Sequence, residues 1–572
     1  MRKFITWLII ILGIFMVLLI MAYVFISALF DTEPVVPAHA YLAMPLSGFI
    51  QEYKPPDPVG EYLEGSSLDM KKISQSLKYA AVDDRITGII LEIENIQAGF
   101  AKLHELSQQI AAFRQSGKKV LALLNIALPR DYYLATACDS IYMQPEGTIL
   151  LTGFVAEVSF YKDLLGKLGI EADFEHVGRY KNAPDEYTRQ NMTDEQKEVI
   201  NTILDSRYYD LVSTLARNRN LTEPEIINFI DTITGFSADL ALEHKLIDGI
   251  KYSDQLPDLL KADKPYKLSR MSALEYSNID PGSVGFGTGP RLALIYCQGT
   301  MMNGDDGNDP VFGTTMGADR VIRNLRQAAD TKSIKAIIMR IDSPGGLATA
   351  ADEIWHAVME ARKKKPVIAS ISDVGASGGY YMAIAADTIV VQSPTLIGSI
   401  GVFIGKFSLE KLYNKIGVKV TTLQRGKNAG LLNLNQKFTD SERKVVRRLI
   451  ENSYHSFVSK VAESRKKTFK EVDQIAQGRV WTGEQGLDLN LADVKGGLDE
   501  AILIARKMAG VKPEDKIRLI VYPKSRSVLS EILRSVSLTA KTIMNPLQEI
   551  DLYFKQIQGR SLYMLPFTLT LN

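Results

Sequence analysis

Tyr132-Tyr-Leu-Ala-Thr-Ala-Cys-Asp-Ser-Ile141 returns 248 positions later as Tyr380-Tyr-Met-Ala-Ile-Ala-Ala-Asp-Thr-Ile389. The same offset relates Ile89-Ile-Leu-Glu-Ile-Glu94 to Ile337-Ile-Met-Arg-Ile-Asp342. Further on, Arg179-Tyr-Lys-Asn-Ala183 matches Arg425-Gly-Lys-Asn-Ala429 at an offset two residues shorter. Thr193-Asp-Glu-Gln196 and Thr439-Asp-Ser-Glu442 keep that shorter offset, and each is a capping-box pattern that opens a helix. Self-similarity on this scale means two copies of one fold.

Within a copy, short apolar runs alternate with helical segments. Ala336–Asp342 reads as a strand ending in a Pro-Gly-Gly turn, Ala348–Lys363 as a helix, Pro366–Ser372 as the next strand and Tyr380–Ala386 as the next helix. That alternation predicts an α/β fold with a largely parallel sheet. Ser277-Asn-Ile-Asp-Pro-Gly-Ser-Val-Gly-Phe-Gly-Thr-Gly-Pro290, rich in Gly and Pro, separates the copies. The expected organisation is a segment over 1–30, a linker over 31–40, an N-terminal copy over 41–275, a linker over 276–290, a C-terminal copy over 291–510 and a tail over 511–572.

The first thirty residues stand apart. Met1-Arg-Lys3 precedes an uncharged apolar run from Phe4 to Phe30, and Asp31 and Glu33 follow it. About 20 apolar residues span a bilayer as a helix. Basic residues on the leading side keep the N-terminus cytoplasmic and export the rest. An Ala-x-Ala pattern at 38–40 lies well past the run, and the run exceeds a signal h-region of about 7–15 residues, so a single uncleaved anchor is expected. The whole chain, at a formal net charge of +1 over 572 residues, lacks the basic excess of a nucleic-acid binder. Cys138 and Cys297 define neither a disulfide framework nor a zinc site, and the six histidines are scattered, so no metal site is expected.

Three constellations carry chemistry. In Asp373-Val-Gly-Ala-Ser-Gly-Gly-Tyr380 a strand ends and a helix begins at Ser377, where free N–H groups favour developing negative charge. A plain N-cap serine would look the same. Ser343-Pro-Gly-Gly346 follows another strand, and its glycines suit either an ordinary turn or backbone donors for an oxyanion. Gly178-Arg-Tyr-Lys-Asn-Ala183 holds Lys181, which is either a solvated surface lysine or, once buried and neutral, a base. The repeat sharpens all three. The N-terminal copy has Pro129 where the other has Ser377, and Asn95-Ile-Gln-Ala98 where the other has Ser343-Pro-Gly-Gly346. Nucleophile and oxyanion elements are lost together, while lysine persists as Lys181 and Lys427.

On these motifs, with Pro394-Thr-Leu-Ile-Gly-Ser-Ile-Gly401, the chain resembles the long, duplicated form of the signal peptide peptidase A family, which are serine–lysine membrane peptidases. The resemblance runs from the anchor to about residue 510. It implies two tandem copies of a Clp protease/crotonase-like fold after one transmembrane helix. It also implies Ser377 as nucleophile, Lys181 rather than Lys427 as base, Gly346 and Gly378 as oxyanion donors, and Ser399 as the residue orienting the lysine. No cofactor is implied. Apolar signal peptides are the implied substrates, and a homotetramer at the inner membrane, with its catalytic domains on the exported side, is the implied assembly. Asp342 departs from the family's usual Asn, and a carboxylate there is expected either to stay clear of the chemistry or to raise the lysine pKa. In the tail, Val528, Leu529, Ile532, Leu533 and Val536 recur at helical spacing, which suits packing on protein or a membrane surface. Two other classes stay open: a crotonase-like acyl-CoA enzyme, which the export signal disfavours, and an inactive membrane scaffold, which the retained Ser, Gly-Gly and Lys disfavour.

Overall fold

A computed structural model describes Trp7 and residues 33–55, 67–261, 265–309, 313–512, 515–524 and 561–564. Apart from Trp7, the expected anchor lies outside the described residues, as does the apolar pattern at 528–536. Among the described residues no helix is long and apolar enough to cross a membrane.

Each copy is built on its own sheet. In the N-terminal copy the strand order is Gly235–Ser237, Ser140–Leu150, Lys119–Ala127, Ile86–Gln97, Ala40–Phe49 and Ser269–Ser272, with Gly249–Ile250 also on Ser140–Leu150. In the C-terminal copy the order is Val480–Thr482, Leu396–Gly398, Val367–Ala376, Ile334–Ser343, Arg291–Gln298 and Arg518–Tyr522. Thr388–Val391 pairs beside Val367–Ala376 and carries Val494–Lys495. The central pairings are parallel, and only the edge strands Gly235–Ser237 and Val480–Thr482 run antiparallel. The two orders are the same, except that Ser140–Leu150 is one strand where the C-terminal copy has two, Thr388–Val391 and Leu396–Gly398. A parallel sheet covered on both faces reads as a continuous apolar run, which is how Ile337–Ile341 and Ile89–Ile93 read apart from one charged residue each.

The repeat extends further than the sequence reading placed it. Ser269–Ser272 closes one edge of the first sheet, and Arg518–Tyr522 closes the matching edge of the second by pairing with Arg291–Gln298. The segment over 511–572 therefore begins as part of the C-terminal copy.

A third sheet joins the copies. Glu171–Val177 of the N-terminal copy runs antiparallel to Val402–Ser408 of the C-terminal copy. Buried charge fastens them elsewhere. Arg340, in the middle of Ile334–Ser343, donates to Glu52 and Glu105 of the other copy. Lys102 Nζ bridges Asp342 at 2.7 Å and Asp373 at 3.1 Å. Asp373 also caps the helix Phe100–Arg114 by accepting from the N–H groups of Gly99 and Lys102. These contacts fix the relative position of the copies, and the site below depends on that position.

Candidate active site

Ser377 sits where the strand Val367–Ala376 turns into the helix Gly378–Ala383. Its backbone has φ 55° and ψ −113°, a conformation that a non-glycine residue holds only when its surroundings enforce it. Two things enforce it. The Ser377 N–H donates to the Gly398 carbonyl at 2.7 Å, tying the turn to the strand Leu396–Gly398. Behind it Gly379 packs so closely that a Cβ there would stand 2.6 Å from the Ser343 carbonyl oxygen. The Ser377-Gly-Gly and Ser343-Pro-Gly-Gly turns are thus pressed together, as the loss of both from one copy suggested. Ser343 Oγ braces its own turn, donating to the Gly299 carbonyl at 2.7 Å and accepting from the Gly345 N–H at 3.3 Å. Gly346 has φ 157°, and a Cβ would fall 2.0 Å from the Met301 carbonyl oxygen, so only glycine fits. Gly378 opens a helix, where first-turn N–H groups have no intrahelical acceptor.

Lys181 arrives from the other copy. After Glu171–Val177 the chain turns at Gly178, and the Tyr180 N–H donates to the Gln477 carbonyl at 2.8 Å. The lysine stem then runs between two glycines of the C-terminal copy. A Cβ on Gly478 would stand 2.6 Å from Lys181 N and 2.7 Å from Lys181 Cβ, and one on Gly401 would stand 3.1 Å from Lys181 Cδ. Nζ ends 2.8 Å from Ser377 Oγ, 2.9 Å from Ser399 Oγ and 3.1 Å from the Ser399 carbonyl oxygen. Ser377, Lys181 and Ser399 are all fully buried. Burial drives the Lys181 amine well below its usual range, and no carboxylate counters it. A neutral amine has two N–H groups and one lone pair. Ser399 and the Met564 carbonyl supply acceptors for the former, which leaves the lone pair for the Ser377 hydroxyl.

Lys427, the other candidate base, is exposed in a turn. Asp342 does not raise the Lys181 pKa. Its carboxylate is engaged by Lys102 and by the Val374 N–H. In the N-terminal copy the position matching Ser377 is sealed. Pro129 starts the helix Pro129–Ala135, and Asp131 accepts from the N–H groups of Ile96 at 2.7 Å and Leu128 at 2.9 Å. A carboxylate of the chain itself takes the backbone donors there.

One further element lies across the site. Leu562–Met564 lies between Gly345–Leu347 and Val402–Ser408, antiparallel to both. Through it a seven-stranded sheet runs from Gly307–Asp309 to Glu171–Val177. Without it, a slot one strand wide separates the turn Ser343-Pro-Gly-Gly346 from the strand that pairs with the lysine arm. The Met564 carbonyl accepts from Lys181 Nζ.

The profile of "Peptidase family S49" matches residues 112–267 and 359–512, more than half of the chain and once in each copy. The chain belongs to peptidase family S49. As a member of S49 it is a serine peptidase. Similar proteins include the chloroplastic "Serine protease SPPA" of Arabidopsis thaliana, 33% identical over 82% of this chain and 70% of that one. "Protease 4" of Salmonella typhi is 29% identical over 85% of this chain and 80% of that one. "Protease 4" of Haemophilus influenzae is 27% identical over 77% and 73%. The S49 matches lie on the duplicated units, so the α/β pair with an internal repeat is the family's own architecture in this chain.

The sequence reading missed Gly478 and Lys102. Gly478 had no motif to flag it. Lys102 opens an amphipathic helix, where a lysine ordinarily faces water. Gly478→Ala is expected to lower kcat/KM about 100-fold, because a misplacement of roughly 1 Å at a reacting group costs that much. Steady-state kinetics on a peptide reporter, beside an unchanged far-UV spectrum, checks it.

Proposed function

We propose that this S49 peptidase is a membrane-anchored endopeptidase in which Lys181 is the general base and Ser377 the nucleophile, acting on apolar signal peptides. The observation that carries the reading is a fully buried lysine amine 2.8 Å from the hydroxyl of a serine held at a strained helix start. Neutral Lys181 takes the Ser377 proton as Oγ attacks the scissile carbonyl. Ser399 holds the amine in line while it becomes an ammonium. The backbone N–H groups of Gly346 and Gly378 stabilise the oxyanion, each such donor being worth about 2.7–4 kcal/mol. Lys181 then protonates the leaving amine. A water activated by the same lysine releases the acyl-enzyme. The strand-wide slot favours extended peptides, recognised by main-chain pairing. The apolar run at 4–30 would hold the catalytic copies against the exported face of the inner membrane, beside apolar peptides.

Repeat symmetry supports self-association. The strand pair that joins the copies within a chain is Glu171–Val177 on Val402–Ser408. Their repeat counterparts at the 248-residue offset are residues 419–425 and 154–160. The register is anchored by Gly169 and Gly417, which follow matching helices and are both left-handed. Val155, Val420 and Leu423 on those counterparts are exposed. The same pairing made between chains, 419–425 of one on 154–160 of the next, is a head-to-tail contact of the kind that forms a ring when the rotation between copies closes. Four is the number the family resemblance implies.

The test is peptide mapping after treatment with a serine-directed acylating probe, on the full chain in detergent, as parent, Lys181→Ala and Lys427→Ala. A stoichiometric adduct on Ser377 that disappears only in Lys181→Ala is expected. Loss only in Lys427→Ala would move the base to the C-terminal copy, and no adduct in the parent would remove the nucleophile. The full chain is used because trimming the terminus to residue 45 would cut the strand Ala40–Phe49.

A further inference from the structure

We propose that the slot is held shut by the chain itself: residues 561–564 are a built-in competitor for the peptide site, seated in a register that is not cut. The inference rests on the reading of Ser377 and Lys181 as the reacting pair.

The pairing is that of a bound peptide. Gly345, Gly346 and Leu347 oppose Met564, Tyr563 and Leu562, and Phe403 opposes Leu562 from the other side. The Ala348 N–H donates to the Ser561 carbonyl at 3.0 Å, extending the pairing by one residue. An exposed strand edge takes whatever extended chain is at hand, and here two edges face one gap. Side chains alternate along a strand, so Leu562 and Met564 share one face. Leu562 is buried in the core of the C-terminal copy and Met564 packs against it. An apolar residue two positions before another is therefore what this slot accepts, and the segment supplies both.

The register distinguishes a plug from a substrate. A scissile carbonyl directs its oxygen to the oxyanion donors. The Met564 carbonyl oxygen is instead taken by Lys181 Nζ, with Ser399 Oγ 3.5 Å away. In that position the carbonyl occupies an N–H of the base and is not polarised for attack by Ser377.

An intramolecular competitor reduces apparent affinity by the fraction of open sites and leaves the turnover of bound substrate alone. Leu562→Glu puts a carboxylate into the apolar seat, and Leu562→Ala loosens the seat without a charge. On the full chain in detergent, both are expected to lower KM for a reporter peptide, Leu562→Glu by about tenfold, with kcat unchanged. The rate of Ser377 acylation by a small serine-directed probe is expected to rise by the same factor. Equal KM values and equal acylation rates in parent and both variants would overturn the plug. So would a fall in kcat in both variants, which would make the strand part of the working site. Intact mass showing loss of Leu565–Asn572 from the parent but not from Ser377→Ala would overturn the uncut register and make the segment a substrate. Absence of any Ser377 adduct in all chains would remove the nucleophile, and this inference with it. Equal, rapid acylation in all chains removes the plug alone.

Discussion

Lys181→Met is expected to lower kcat/KM by about 10²–10⁴, the range for loss of a general base, while the variant melts no lower than the parent at pH 7. The two halves of this outcome have one cause. The amine is buried without a carboxylate, so burial favours its neutral form. Between the folded pKa and the ordinary lysine value of 10.5 the unfolded chain holds a proton that the folded chain does not. Stability therefore rises with pH through that window. The cost of keeping the amine neutral is absent above the unfolded pKa and greatest below the folded one. Methionine has nearly the same length and carries no such cost, so the comparison tilts further toward the variant as the pH falls. The same shift sets the kinetics. The ascending limb of kcat/KM against pH follows deprotonation of Lys181 and is expected well below the ordinary lysine range. Thermal melts at two pH values and a pH–rate profile check both halves. A variant that loses activity and also melts much lower would mean that the lysine is charged and paired in the folded protein.

The candidate motifs were legible because duplication supplies an internal comparison. Ser377, Gly346 and Gly378 stand out where the other copy has Pro129 and Asn95–Ala98, and Lys181 stands out because both copies keep a lysine. The parallel sheets were legible from runs such as Ile89–Ile93 and Ile337–Ile341. What stayed hidden depends on contacts between copies, which spacing along one chain does not encode. Gly478 lies beside Lys181 only after Glu171–Val177 has crossed to Val402–Ser408. Asp342 reads as a stray carboxylate near the chemistry until Lys102 is seen to hold it. Leu562–Met564 is too short for periodicity to register, and Arg518–Tyr522 follows a Gly-Val-Lys-Pro stretch that reads as the end of a domain. One signal was available and unused. Arg340 interrupts an apolar run where the other copy has Glu92, and a guanidinium in the middle of a buried strand requires buried partners.

Those partners make Arg340→Met the most destabilising substitution expected in this chain, at about 3–5 kcal/mol. The guanidinium is fully buried and donates through Nε to Glu52 at 2.7 Å, through Nη2 to Glu105 at 2.8 Å, and through Nη1 to Ser370 Oγ at 2.9 Å. Glu105 also accepts from the Leu498 N–H at 3.1 Å, and Glu52 from the Ser372 hydroxyl. Burial alone would push both carboxyls up. Against it, Arg340 and Lys102 hold Glu52 below the usual carboxylate range. Removing the cation leaves two carboxyls facing each other without a counter-charge, which is why breaking such a cluster costs more than the cluster contributes. The consequence reaches the active site, because Glu52 and Glu105 belong to the copy that carries Lys181 and Arg340 to the copy that carries Ser377. Denaturant midpoints and kcat/KM are expected to fall together in Arg340→Met, although the residue is no part of the reacting pair. Glu52→Gln with Glu105→Gln in the Arg340→Met background removes the stranded charges and is expected to recover most of both. Recovery of stability without activity would separate the docking of the copies from the alignment of Lys181 with Ser377. Recovery of neither would mean that the three side chains are needed for their shape and hydrogen bonds and not for their charge.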